Sequence, residues 1–90
     1  MIKTITITYN NKTFQRKLDS KYLQDPILFQ NIIKAMKTTF AIRLVFELWQ
    51  QVDLLRIDLH PSYRNVPAKQ RKAFNKQCLD KIKRMTIKIT

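Results

Sequence analysis

Apolar and polar residues alternate strictly near the start of the chain, in "TITITYNNKTF": Ile5, Ile7 and Tyr9 on one side, Thr4, Thr6 and Thr8 on the other. A period of two carried by β-branched residues predicts a strand with one buried face. Asn10-Asn11 then predicts a tight type I′ turn, because asparagine tolerates positive φ best after glycine. A two-residue turn sets Tyr9 opposite Lys12, Ile7 opposite Phe14 and Ile5 opposite Arg16, and the Ile7–Phe14 pair makes that register sensible. The opposite face carries Thr4, Thr6, Thr8, Thr13, Gln15 and Lys17, joined by Lys88 from the end of the chain.

The period then lengthens. Asp25-Pro26 offers an N-cap followed by proline at the first helical position, and Phe29, Ile32, Ile33, Met36 and Phe40 follow at helical spacing. Residues 41–53 fit two patterns. Ile42, Leu44, Phe46 and Leu48 alternate as in a strand, whereas Ile42, Val45, Trp49 and Val52 repeat as in a helix. Propensity, and the lack of a turn signal before this stretch, favour the helix. In "LLRIDLHP" (54–61), Leu55, Ile57 and Leu59 alternate with Arg56, Asp58 and His60 before Pro61, which predicts a half-buried strand. A loop over 62–66, a helix from Pro67 to Met85 and a short strand in "TIKIT" complete the chain. The expected fold is α+β: an N-terminal β-hairpin, a central helical segment, a further strand, a basic C-terminal helix and a closing strand. It forms a small, mostly antiparallel sheet with helices on one face.

Ninety residues make one domain, 1–90, and at 44% hydrophobic residues the chain can enclose a modest core. Residues 26–55 are interrupted by Lys34, Lys37, Arg43, Glu47 and Asp53, too polar for a membrane span. One cysteine, Cys78, cannot close an internal disulfide, and with the single His60 it cannot complete a usual zinc site. The expectation is a soluble cytoplasmic protein without metal or cofactor. Glycine is absent, which excludes a Walker P-loop, a dinucleotide fingerprint and a GXXG clamp. Turns that need positive φ must then use asparagine or aspartate.

Charge changes the picture most. Eighteen basic against six acidic residues give +12, spread unevenly: +3 over residues 1–30, +1 over 31–60 and +8 over 61–90. Such an excess costs self-repulsion that a polyanionic partner relieves. On the C-terminal helix, Phe74, Cys78, Ile82 and Met85 form an apolar stripe with Ala68 and Leu79 at its edge. Lys69, Lys72, Lys76 and Lys83 gather within ~60° on the far side. Like charges at these spacings repel, and Asp80 alone intervenes. Arg71, Lys81 and Arg84 widen the positive surface, and Arg64 and Lys88 flank it. Lysine is a point charge rather than a bidentate reader of guanine, so this ridge points to phosphate backbone, DNA or RNA, rather than to base sequence.

Three functions follow as expectations. The leading one is a non-catalytic nucleic-acid-binding protein using Arg64, Lys69, Arg71, Lys72, Lys76, Lys83, Arg84 and Lys88, with Tyr63 free to stack on a base. The second is an interaction protein, an inhibitor or adaptor of the kind mobile genetic elements encode (anti-CRISPR-like), docking on the acidic surface of a nucleic-acid-processing complex. The third is a small metal-independent ribonuclease toxin, with His60 as acid or base beside Arg56, Tyr63 and Arg64. Cys78, on the apolar stripe, reads as a buried, inert thiol.

Overall fold

The computed structural model describes all ninety residues, Met1–Thr90. Its elements are β1 (Ile2–Tyr9), β2 (Lys12–Asp19), α1 (Pro26–Gln51), α2 (Arg71–Lys83) and β3 (Thr86–Ile89), with 3-10 turns at Ser20–Leu23, Tyr63–Asn65 and Ala68–Gln70. The fold is α+β, as expected, and its three strands are antiparallel in the order β2-β1-β3. The contacts divide into two compact units, Met1–Lys37 with Arg84–Thr90, and Thr38–Lys83.

The first unit holds the sheet. The hairpin register is the expected one, with Tyr9 opposite Lys12, Ile7 opposite Phe14 and Ile5 opposite Arg16. Asn10 takes φ of 53°, but Asn11 does not join it in the positive region, so the turn departs from type I′, which needs both. Strand β3 lines up on the other side of β1, Ile87 against Ile7 and Lys88 against Thr6. Ile5 and Ile7 are wholly buried, and Ile33, Met36 and Met85 are this unit's other buried apolar side chains. The opposite face of the sheet is polar: Thr4, Thr6, Thr8, Thr13, Gln15, Lys17, Thr86 and Lys88 all reach solvent. Gln15 there donates to Thr6 Oγ1 across the strands at 3.3 Å.

Helix α1 starts where the Asp25-Pro26 signal places it. The Asp25 carboxylate accepts from the backbone N–H groups of Ile27 and Leu28, at 3.0 and 3.3 Å, which satisfies two otherwise orphaned donors. The helix runs unbroken through the ambiguous stretch to Gln51. Ala41, Leu44, Val45, Phe46 and Trp49 are buried while Leu48 is exposed, a helical pattern that strand alternation would not produce.

Its C-terminus explains one correction. Asp53 adopts φ of 59°, its N–H reaching Gln50 O at 3.3 Å while the Leu54 N–H reaches Trp49 O at 2.8 Å. This is a Schellman cap with aspartate where glycine is usual. Both positive-φ residues of the chain are thus Asn or Asp, as its lack of glycine requires. The cap turns the backbone into a loop, and the strand expected over Leu55–His60 does not form. Leu55 is buried, but Ile57 is 80% exposed, so the alternation has no common face. The Gln50 side chain holds the loop instead, its Nε2 donating towards the carbonyls of Arg56, Ile57 and Leu59 at 2.9, 3.2 and 3.1 Å. Replacing Gln50 by leucine removes all three contacts. It is expected to cost about 1–2 kcal/mol and to accelerate amide exchange over residues 54–60 before the rest of the chain, measured by hydrogen–deuterium exchange.

The second unit is built on aromatics. Phe74 of α2 is wholly buried and meets Phe46 edge-on at 6.3 Å, Trp49 edge-on at 5.2 Å and Tyr63 at 6.3 Å. The Trp49 indole Nε1 donates to Gln77 Oε1 at 3.0 Å, so its polar edge is satisfied inside the cluster. The C-terminal helix is shorter than expected. Pro67 is extended at φ −54°, ψ 141°, Gln70 N–H bonds back to Pro67 O at 2.8 Å, and residues 68–70 form a 3-10 turn before α2 begins at Arg71. The helix ends at Lys83, before Met85. No helix is long and apolar enough to cross a membrane.

Candidate nucleic-acid interface

The expected basic residues divide between the two units. Lys72, Lys76 and Lys83 stand on α2, exposed and on one row; Lys69 is exposed on the 3-10 turn just before it. None of the four forms an ion pair. Asp80 lies four residues after Lys76 and three before Lys83, the spacings that favour helical salt bridges, yet it pairs with neither. Arg64 is exposed on the Tyr63–Asn65 turn, which Ser62 caps by accepting from the Arg64 backbone N–H at 3.3 Å. Arg84 and Lys88 belong to the first unit, Lys88 on the polar face of the sheet opposite Thr6.

Two expected site residues have structural work of their own. Arg71 donates from Nε to Val66 O at 3.0 Å and lays its guanidinium over the Tyr63 ring, 5.4 Å from the centroid. It fastens the 3-10 turns to α2 and is only half-exposed, which leaves less of its charge for a phosphate than its position in the sequence implies. Tyr63 therefore has one face covered by a cation, with the Phe74 ring tilted against it at 6.3 Å. A base can reach only what remains of the ring.

Beside the lysine row lies a cleft of about 250 Å³ lined by Thr38, Ile42, Tyr63, Asn75, Cys78, Leu79 and Ile82. Its walls come from α1, from α2 and from the turn at Tyr63. The linear pattern does not show it, since Thr38 and Asn75 draw no attention there and Ile42 reads only as part of the periodicity over residues 41–53. Two signals are available, Tyr63 as a ring free to stack on a base and Leu79 as a leucine at the edge of the apolar stripe that stays half in solvent. Cys78 lies at the buried side of this cleft. Burial pushes its thiol up from 9.0 to about 11, with the nearby Lys81 ammonium offsetting a smaller part. The thiol is thus protonated and weakly nucleophilic at neutral pH.

A thiol whose folded pKa exceeds its unfolded one contributes fully to stability below about pH 9, and that contribution is lost as pH rises towards 11. The corresponding kinetic expectation is simple. Iodoacetamide should alkylate the native protein at pH 8 at least ~100-fold more slowly than the urea-unfolded chain, from the thiolate fraction alone.

The ribonuclease arrangement does not assemble as expected. Arg56 and Asp58 sit on the loop after α1 rather than on a strand, joined in a two-pronged ion pair at 3.2 and 2.8 Å. The His60 imidazole makes no hydrogen bond or ion pair; only its backbone carbonyl is used, accepting from Asn65 Nδ2 at 2.8 Å. No three metal-ligating side chains gather anywhere in the chain. A comparison with known protein families finds no match, and comparisons with curated proteins and with solved structures find none either. The class that can be stated is structural: a small α+β protein with a strongly basic helix.

Proposed function

We propose that this protein binds the phosphate backbone of nucleic acid, without catalysis, through Lys69, Lys72, Lys76 and Lys83, with Arg64 at the margin. The carrying observation is a set of exposed lysines without ion-pair partners, Lys72, Lys76 and Lys83 in a row on α2 with Lys69 on the turn before it, where Asp80 is spaced to neutralise two of them and does not. Repulsion along such a row destabilises the free protein slightly and is relieved when phosphates insert between the ammonium groups. The test is fluorescence anisotropy with labelled DNA and RNA across salt concentrations. Tight binding at low salt with a steep negative dependence on salt supports the reading, and its absence removes it.

A second reading, docking on an acidic protein surface, draws on a different observation. Val52, Leu54 and Ile57 are exposed apolar side chains on the loop after α1, and exposed apolar groups of this kind suit a protein partner better than a phosphate chain. Affinity purification at low and at high salt separates the two, since a protein complex resting on apolar contacts survives the salt that strips nucleic acid.

A further inference from the structure

We propose that the cleft beside the lysine row holds an unpaired base, so that the nucleic acid recognised is single-stranded. This rests on the phosphate-binding reading above and names its substrate class. Asn75, Leu79 and Ile82 succeed one another on α2 at four and three residues and form that helix's side of the cleft. Lys76 and Lys83 stand one residue beyond Asn75 and Ile82, and Lys72 three residues before Asn75. At 100° per residue the lysine row lies roughly 70° round the helix from the cleft row. On a helix ~5–6 Å in radius with side chains, that is roughly 7 Å of surface, so cleft and row are adjacent. A strand whose phosphates follow the lysines has its bases within reach of the cleft.

The lining suits a base. Ile42, Leu79 and Ile82 supply apolar walls that a flat ring desolvates against. Tyr63, 40% exposed, offers the part of its ring that Arg71 leaves open. Asn75 is exposed at the rim, and its amide presents a donor and an acceptor together, the pair that matches a base edge. At about 250 Å³ the cleft is smaller than a drug-sized ligand site of roughly 300–1,000 Å³ and accommodates one ring system rather than a duplex. In a duplex the bases are stacked and paired, and reaching this cleft requires extruding one at an energetic cost. An apolar cleft next to unpaired cations calls for a ligand that is itself flat and apolar on one side and anionic on the other, and an unpaired nucleotide is such a ligand.

The experiment compares four ligands by anisotropy at fixed salt: a single-stranded oligonucleotide, the same strand with abasic sites, its duplex, and an acidic peptide bearing leucine and phenylalanine. Each is tested against the native protein and against Leu79→Trp and Asn75→Ala. Leu79 and Asn75 lie on the exposed rim, so both variants keep the fold, checked by circular dichroism. The single strand should bind tightest, and abasic substitution should weaken it roughly ten- to hundred-fold, the range of one stacked base. Leu79→Trp, which fills the cleft, should lower single-strand affinity to the abasic level while duplex binding and the salt dependence stay unchanged. Equal affinity for intact, abasic and duplex ligands, with Leu79→Trp silent, overturns the cleft assignment and leaves phosphate binding standing. Absence of any salt-dependent nucleic-acid binding overturns both. Preferential capture of the acidic peptide, lost in Leu79→Trp, assigns the cleft to a protein partner and overturns the base proposal.

Discussion

Replacing Phe74 by alanine is expected to destabilise the protein by about 3–5 kcal/mol, the range for deleting a fully buried aromatic ring. The ring is wholly buried and meets Phe46, Trp49 and Tyr63. Each edge-to-face pair contributes about 0.5–1.5 kcal/mol beyond the area it buries. These contacts come from α1 and from the turn at Tyr63, so no single neighbour can move to fill the hole. A chain of ninety residues has roughly 5–13 kcal/mol of stability in all, and this one substitution removes a large fraction of it. Urea unfolding followed by Trp49 fluorescence is the measurement, because Trp49 is the only tryptophan and lies 5.2 Å from the deleted ring. Phe74→Leu, which keeps most of the volume, should cost about 1–2 kcal/mol. A loss below ~1 kcal/mol for the alanine variant would mean that the aromatic cluster does not form in solution.

That cluster also shows what a linear pattern carries and what it does not. The hairpin is legible because everything that fixes it is local: threonine–isoleucine alternation, two turn-forming asparagines, and an Ile7–Phe14 pair that only one register brings together. Helix α1 is legible at its start because Asp25 and Pro26 cap it in place. The ambiguity at residues 41–53 resolves towards helix because Ala41, Val45 and Trp49 belong to the buried set and Leu48 does not. The false strand at 55–60 is overruled from just outside the segment. Leu55, Ile57 and Leu59 alternate convincingly, but Asp53 accepts a left-handed conformation and the Gln50 amide collects the loop's carbonyls. Nothing in "LLRIDLHP" announces that a glutamine one turn upstream will supply those hydrogen bonds.

The site divides in the same way. The lysine row is legible because helical spacing is a property of the sequence itself, and Lys69 leaves the row only because Pro67 delays the helix. The role of Arg71 is not legible, since its partners, the Val66 carbonyl and the Tyr63 ring, are brought to it by two 3-10 turns. The same holds for the cleft, whose three walls are drawn from residues 38–42, 63 and 75–82. Composition identifies the charge; only the fold shows which charges are already engaged.

Reversing Lys69, Lys72, Lys76 and Lys83 to glutamate is expected to abolish nucleic-acid binding, and the native protein's salt dependence fixes how large that loss should be. Four phosphate contacts give a log–log slope of roughly −3.6 on duplex and about −2.8 on a single strand. Raising salt from 50 to 200 mM should therefore weaken duplex binding ~150-fold and single-strand binding ~50-fold. The reversal changes the charge by two at each site, taking the chain from +12 to +4, so the variant is still a cation. Surviving attraction would then show that net charge, rather than the ridge, holds the ligand. Loss of at least ~100-fold at 50 mM salt, with the slope falling close to zero, would locate the contacts on α2 and the turn before it. A matched control reverses Lys12, Lys17, Lys21 and Lys37, all of the first unit, and reaches the same +4. The control should keep most of the affinity, because it leaves the four proposed phosphate contacts in place. Equal losses in the two variants would make the ridge no more than a part of a diffuse positive surface. None of the four ridge lysines is in an ion pair, so the reversal breaks no native pair; the four glutamates repel one another and Asp80 at the same helical spacings, and the unfolding midpoint should fall only slightly. That separates lost binding from lost folding in the same pair of proteins.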